Sequence, residues 1–313
     1  MRIVYLYNGE PFDENLVNET WGTSQGLAYQ WKLMGHEVVE INFSSLNCEN
    51  LLFEELTKKH TDVVLLSEAG TIPQHVQNFW KKERFPDCLM VAEGCDEPQI
   101  LRYNLLHTLP AELIWSPDLD ATNWYLSQGK NAFWLPHWGD EVIYSRTADP
   151  CNGTISTSAS GPRRGIWNEA IFALNEKYGE KFLAPRLNGG PYLSPYDNNK
   201  LYECSSLVFT MSSNAEITRR LFEAAASGRM VICDRLDASK SLNAIFEEGK
   251  DIECFDSLPE LMYKVDLYLN NHDARMEMAD NAHKKYMNFH TAKNRANQLC
   301  EVFKQVQQMK ART

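Results

Sequence analysis

Apolar residues fall in short unbroken runs separated by longer stretches in which they recur every three or four positions. RIVYLY at 2–7 reads as a strand buried on both faces, because a strand with one wet face would alternate. Leu27, Ala28, Trp31 and Leu33 then keep a helical spacing over 23–33, with Thr23 or Ser24 as N-cap and Gly35 as the stop. Strands follow at 36–43, 63–67, 88–92, 113–115 and 132–135, with helices at 50–60, 73–82 and 121–128 between them. Strands separated by helices imply right-handed crossovers and a mainly parallel sheet.

The pattern breaks at 149–165, DPCNGTISTSASGPRRG, a Gly-, Ser-, Thr- and Pro-rich stretch with a short strand at 154–158. It resumes with a helix at 166–177, strands near 182–185, 207–211, 230–233 and 253–255, a helix at 214–228, and helical periodicity from Leu258 onward. The expectation is two Rossmann-like α/β domains, 1–150 and 151–313, facing each other across a cleft, with the last helix (about 291–310) packing back on the first.

Composition adds limits. Hydrophobic residues make up 43% and charged residues 23% of the 313, ordinary values for a chain that buries real cores. No apolar run has the length of a membrane span and the N-terminus lacks a secretory pattern, so a cytoplasmic location is expected. The cysteines are scattered without a CxxC pair and read as reduced core thiols. A net charge of −11 argues against a broad nucleic-acid surface, although Lys81, Lys82 and Arg84 offer a local basic edge.

The segment 214–228, NAEITRRLFEAAASG, carries the most chemistry. Read as one helix, it places Glu216, Arg220, Glu223 and Ser227 on one stripe and Ile217, Leu221, Ala224 and Gly228 on another. Asn214 and its serines cap the start, where free N–H groups and the helix dipole suit a diphosphate. An ordinary solvated pair of Glu216 and Arg220 fits the pattern equally well.

The block Arg220-Leu221-Phe222-Glu223 with Ala225 and Gly228, then Phe246-Glu247-Glu248-Gly249, 256–261 (DSLPEL), and His290-Thr291 with Arg295, appears in an order that resembles the C-terminal domain of GT-B glycosyltransferases, specifically the CgeB-like group. The resemblance implies that Glu223 holds the two ribose hydroxyls of a nucleotide and that Arg220 faces its diphosphate. It also makes Gly161 and Arg164, in GPRRG, a phosphate loop, with a surface hinge as the alternative. Many retaining members carry a second glutamate eight positions before the ribose one; here that place is Ala215, with Glu216 one residue late. Tyr196, in the turn-rich 188–196 stretch, is a candidate for stacking on the base.

In the resemblance the N-terminal half takes the acceptor. Carboxylates at the carboxyl ends of parallel strands point to the ligand crevice, which makes Asp96, Glu93 and Glu68 candidate bases, Asp96 first. Asp96 also fits a helix N-cap. His137, after Trp134-Leu135-Pro136, is either a base or phosphate contact or a satisfied histidine among tryptophans. Asp118-Leu119-Asp120 spells a D-x-D metal motif but reads as capping, Asp120 before the helix at 121–128. The resulting expectation is a metal-independent transferase with no cofactor beyond a nucleoside-diphosphate sugar, UDP-linked, and a hydroxyl acceptor on a glycan or protein. Hydroxymethylated phage DNA as acceptor, a sugar-nucleotide 2-epimerase of the same fold, and a non-catalytic nucleotide-sugar-binding protein remain open.

Overall fold

β1 (Arg2–Tyr7) is buried at all six positions and β3 (Val63–Leu66) at all four, which is what unbroken apolar runs become when helices cover both faces of a sheet. In the computed structural model they are neighbours in a parallel sheet of order β2-β1-β3-β4-β5-β6, with β2 (Glu37–Asn42), β4 (Leu89–Glu93), β5 (Leu113–Ser116) and β6 (Ala132–Trp134). The structure describes residues 1–9, 25–67, 72–95, 97, 101–147, 153–158, 167–185, 193–212, 216–236 and 241–312. They form two compact units, Met1–Pro136 with Ala292–Thr313, and His137–Thr291.

In the first unit the sheet is accompanied by α1 (Gln25–Leu33), α2 (Cys48–Lys58), α3 (Gln74–Phe79), α4 (Leu101–Thr108) and α5 (Leu119–Ser127). Val4, Leu6, Val64, Leu66, Met90 and Ala92 from three adjacent strands make the centre of one core with Phe79 and Trp80. The helix α4 has no counterpart in the apolar pattern, whose spacing there is interrupted by polar residues such as Asn104. Asp118 accepts from the Ala121 backbone N–H at 2.8 Å, so the capping residue of α5 is Asp118 and not Asp120, which lies in the first turn. The helix starts two residues earlier than its apolar spacing suggests.

The fully buried Trp31 donates its indole N–H to Ala296 O at 3.1 Å, tying α1 to α12 (Ala292–Lys310). Arg295 is buried too, its Nε donating to Pro136 O at 2.7 Å; burial pushes its guanidinium down to about 9.

The second unit has a parallel sheet of order β11-β10-β9-β7-β8, built from β7 (Ile155–Ser156), β8 (Phe182–Leu183), β9 (Leu207–Thr210), β10 (Met230–Asp234) and β11 (Glu253–Phe255). From β7 the chain first crosses to β8 on one side and then to β9 on the other, which creates a topological switch point at the carboxyl ends of β7 and β9. Its helices are α6 (Trp167–Tyr178), α7 (Pro195–Glu203), α8 (Arg219–Ala226), α9 (Leu242–Ile245), α10 (Leu258–Asn270) and α11 (His272–Phe289).

Two of these differ from the sequence expectation. Ser194 caps α7 by accepting from the Asp197 N–H at 3.1 Å, and Pro195 enters at the first turn, so part of the turn-rich stretch is a helix start. The helix α8 begins at Arg219, with extended Thr218 as its N-cap residue. The β-branched pair Ile217-Thr218 favours extended backbone, and Glu216 therefore precedes the helix and shares no helical stripe with Glu223.

Gly139 lies against α8: a Cβ there would meet Tyr286 Cε2 at 2.9 Å and Phe222 O at 3.0 Å. Backbone cannot swing aside as a side-chain tip can. Gly139→Ala is expected to lower unfolding stability by about 1–3 kcal/mol, read from urea denaturation; an unchanged midpoint would show that the segment yields.

Candidate functional site

From Leu221 to Ala226 every residue of α8 is buried, and only the first turn reaches an opening. That turn holds Arg219 and Arg220, although the helix dipole disfavours cations at an N-terminus. Two arginines at the wrong end of a dipole cost free energy unless an anion joins them. The N-cap residue Thr218 makes no side-chain capping bond, so charge and dipole point alike.

Arg219, Arg220 and Glu223 line one cavity of about 180 Å³ together with Ser158, Leu193 and Asn198. Ser158 lies two residues beyond β7 and the arginines follow β9, which puts the cavity at the switch point. Arg219 stacks its guanidinium over Trp138 at 4.2 Å, which fixes the direction of a long side chain. Arg220 Nε is buried and has no hydrogen-bond partner among the described residues.

Glu223 accepts from Asn198 Nδ2 at 3.1 Å. Burial pushes its carboxyl above the ordinary range, against the pull of Arg220, Arg219, Tyr144 and Asn198. Behind it, Tyr202 shares a 2.7 Å hydrogen bond with Ser158. The cavity thus has a cationic mouth at the first turn and a carboxylate one helical turn further in, about 5 Å along the axis.

The remaining candidates are dispersed. Glu216 lines a second, smaller cavity of about 10 Å³ with Thr210, Ser212 and Asp234, whose carboxyl burial pushes up to about 6. Tyr196, in the first turn of α7, lies with its ring 4.2 Å from Lys200 Nζ. His137 is half-buried, its ring 6.4 Å from that of Trp138. Glu93, at the end of β4 in the first unit, accepts from Ser67 Oγ at 2.5 Å. Asp96, Glu68, Gly161, Arg164 and Asn214 lie outside the described residues. Among those residues no group of three His, Cys, Asp or Glu side chains is placed to hold a metal ion.

Residues 157–301, which include every described residue lining the larger cavity, match the family model described as glycosyl transferase-like. The chain is similar in structure to a sucrose-phosphate synthase from Thermosynechococcus elongatus, with a TM-score of 0.65 at 11% identity over 97% of this chain and 98% of that one. It is similar to HepE from Anabaena in complex with UDP and glucose, with a TM-score of 0.64 at 12% identity over 97% and 99%. The catalytic domain of starch synthase IV from Arabidopsis thaliana, bound to ADP and acarbose, gives a TM-score of 0.62 at 7% identity over 97% and 98%. The chain has the GT-B fold, and its segment 157–301 is glycosyl transferase-like. No protein of curated function matches it in sequence.

Within this GT-B chain the cavity uses three polar side chains that the sequence expectation did not select. Arg219 carried a signal, a second arginine where a first turn should be acidic. Asn198 carried a weaker one: Asn198 and Asn199 are poor helix formers in mid-helix, and both are buried. Ser158 gave none, since nothing in a Ser- and Thr-rich stretch marks which hydroxyl faces a cavity. No helix among the described residues is long and apolar enough to cross a membrane.

Proposed function

We propose that the chain transfers a sugar from a nucleoside-diphosphate sugar, UDP-linked, to a hydroxyl of a glycan or protein, without a metal ion. The carrying observation is the cavity with Arg219 and Arg220 at the N-terminus of α8 and Glu223 one turn within. A nucleoside diphosphate has the matching order of groups: an anion on the ribose C5′ side, and a vicinal diol on the other. The arginines and backbone N–H groups take the diphosphate and stabilise the charge that grows on it as the glycosidic bond breaks. The carboxylate accepts from the diol hydroxyls. Structural likeness to HepE, solved in complex with UDP-glucose, supports the choice of uridine.

The test is turnover. Purified protein given UDP-sugars and a panel of hydroxyl acceptors is expected to release UDP only when an acceptor is present, and to do so equally after EDTA. Conversion of the sugar nucleotide alone into an isomer would replace the transferase reading with an epimerase. Arg219→Ala and Arg220→Ala are each expected to weaken UDP binding by about 10-fold and to flatten its salt dependence, since each removes one charge-assisted contact. Salt dependence equal to wild type in both variants would sink the phosphate assignment.

A further inference from the structure

Glu223 does not stand alone in its wall. Asn198 on α7 directs Nδ2 to Glu223 Oε2 and to Tyr144 Oη, both at 3.1 Å. A carboxylate oxygen only accepts, so the amide group facing it is the NH2, and the orientation of the asparagine follows from chemistry. Oδ1 is then left buried with no hydrogen-bond partner among the described residues. An amide kept for packing alone has no need of an unpaired acceptor, whereas one that must present N–H to a carboxylate accepts that cost.

We propose that Asn198 is a positioning residue for Glu223: its amide fixes one carboxylate oxygen and favours the charged form, so that the ligand's hydroxyls meet an oriented acceptor. This inference rests on the donor-site reading above and adds a residue that orients its carboxylate. The groups facing Glu223 are few. Arg219 and Arg220 come from its own helix, Tyr144 from the 137–147 segment, Tyr202 from α7 and Tyr286 from α11. Burial raises the phenols above their ordinary range, so Tyr144 and Asn198 are neutral donors to the carboxylate, Asn198 at 3.1 Å.

Asn198→Asp is the informative change, being close to isosteric. It sets one carboxylate against another, and the two then compete for a proton. In titrations of UDP, ADP and GDP into the full chain, affinity of this variant for the tightest of the three is expected to fall about 10-fold near pH 8. It should recover on acidification, when the proton of the introduced carboxyl stands in for the amide N–H. Tyr144→Phe, which removes a hydroxyl that also stabilises the charged Glu223, should lower affinity by less and in the opposite pH sense, with binding lost on acidification, and serves if the first variant melts early.

Wild-type affinity and an unchanged pH profile in both variants overturn the inference. If Glu223→Ala abolishes binding while these two leave it untouched, only this inference falls. If none of the three nucleotides binds, or Glu223→Ala binds as wild type, the donor-site reading falls and takes the inference with it.

Discussion

Glu223→Ala is expected to raise the dissociation constant for UDP by roughly 100-fold, the equivalent of one or two charge-assisted hydrogen bonds. Its effect on folding should run the other way. Burial pushes the Glu223 carboxyl up, so folding disfavours its charged form. A carboxyl raised in the folded state contributes stability that is complete below the ordinary carboxylate range and is lost as pH rises through the folded value. Near neutral pH the charged form is therefore a burden on the fold. Glu223→Gln, which keeps the shape and loses the charge, should melt at or above the wild-type temperature while binding UDP poorly. A structural carboxylate predicts the reverse, lower stability with binding intact. Isothermal titration and thermal melts on the same two variants separate these outcomes, and a Glu223→Gln protein that is destabilised yet binds normally would remove the carboxylate from the site.

The sheets were legible in the sequence because burial on both faces leaves a simple mark. Apolar runs such as 2–7 and 63–66 carry it without help from distant residues. The helix that matters most was placed by its motif but not by its start. Its first residues were read through a stripe joining Glu216 to Arg220, and that stripe required helical backbone across Ile217 and Thr218, which those side chains resist. What the motif did locate, Arg220 with Glu223, is local: three residues apart in sequence, on one cavity wall in the fold. The partners of Glu223 are not local. Asn198 and Tyr144 reach it from 25 and 79 positions away along the chain, and a pattern that ends at the next turn cannot report them. The arginine pair shows a different kind of legibility, a breach of the dipole rule that becomes intelligible once an anion is assigned to the same place.

The first unit contains a second buried carboxylate, and removing it should cost more folding free energy than any other change considered. Glu97 is 1% exposed and accepts from Asn104 Nδ2 at 2.9 Å, from Tyr125 Oη at 2.7 Å, and from Ser116 Oγ. Gly94 is shaped around it, since a Cβ there would fall 2.4 Å from Glu97 Oε1. The sequence shows Glu97 only as the neighbour of Asp96 before a proline; its donors come from α4, β5 and α5, up to 28 residues away. With Glu97→Ala, Ser116 Oγ can still turn to Asp118 O, while Asn104 and Tyr125 each lose a partner inside the core. Each such loss costs about 1–3 kcal/mol, so a decrease of about 3–5 kcal/mol is expected in urea denaturation. Glu97→Gln tests the charge. Burial raises this carboxyl, and its proton-linked stability is present at acid pH and fades as pH rises through the folded value. The variant should match wild type at acid pH and become the more stable of the two as pH rises through the folded value. A pH-independent difference would mean that the hydrogen bonds outweigh burial and that Glu97 stays ionised in the core.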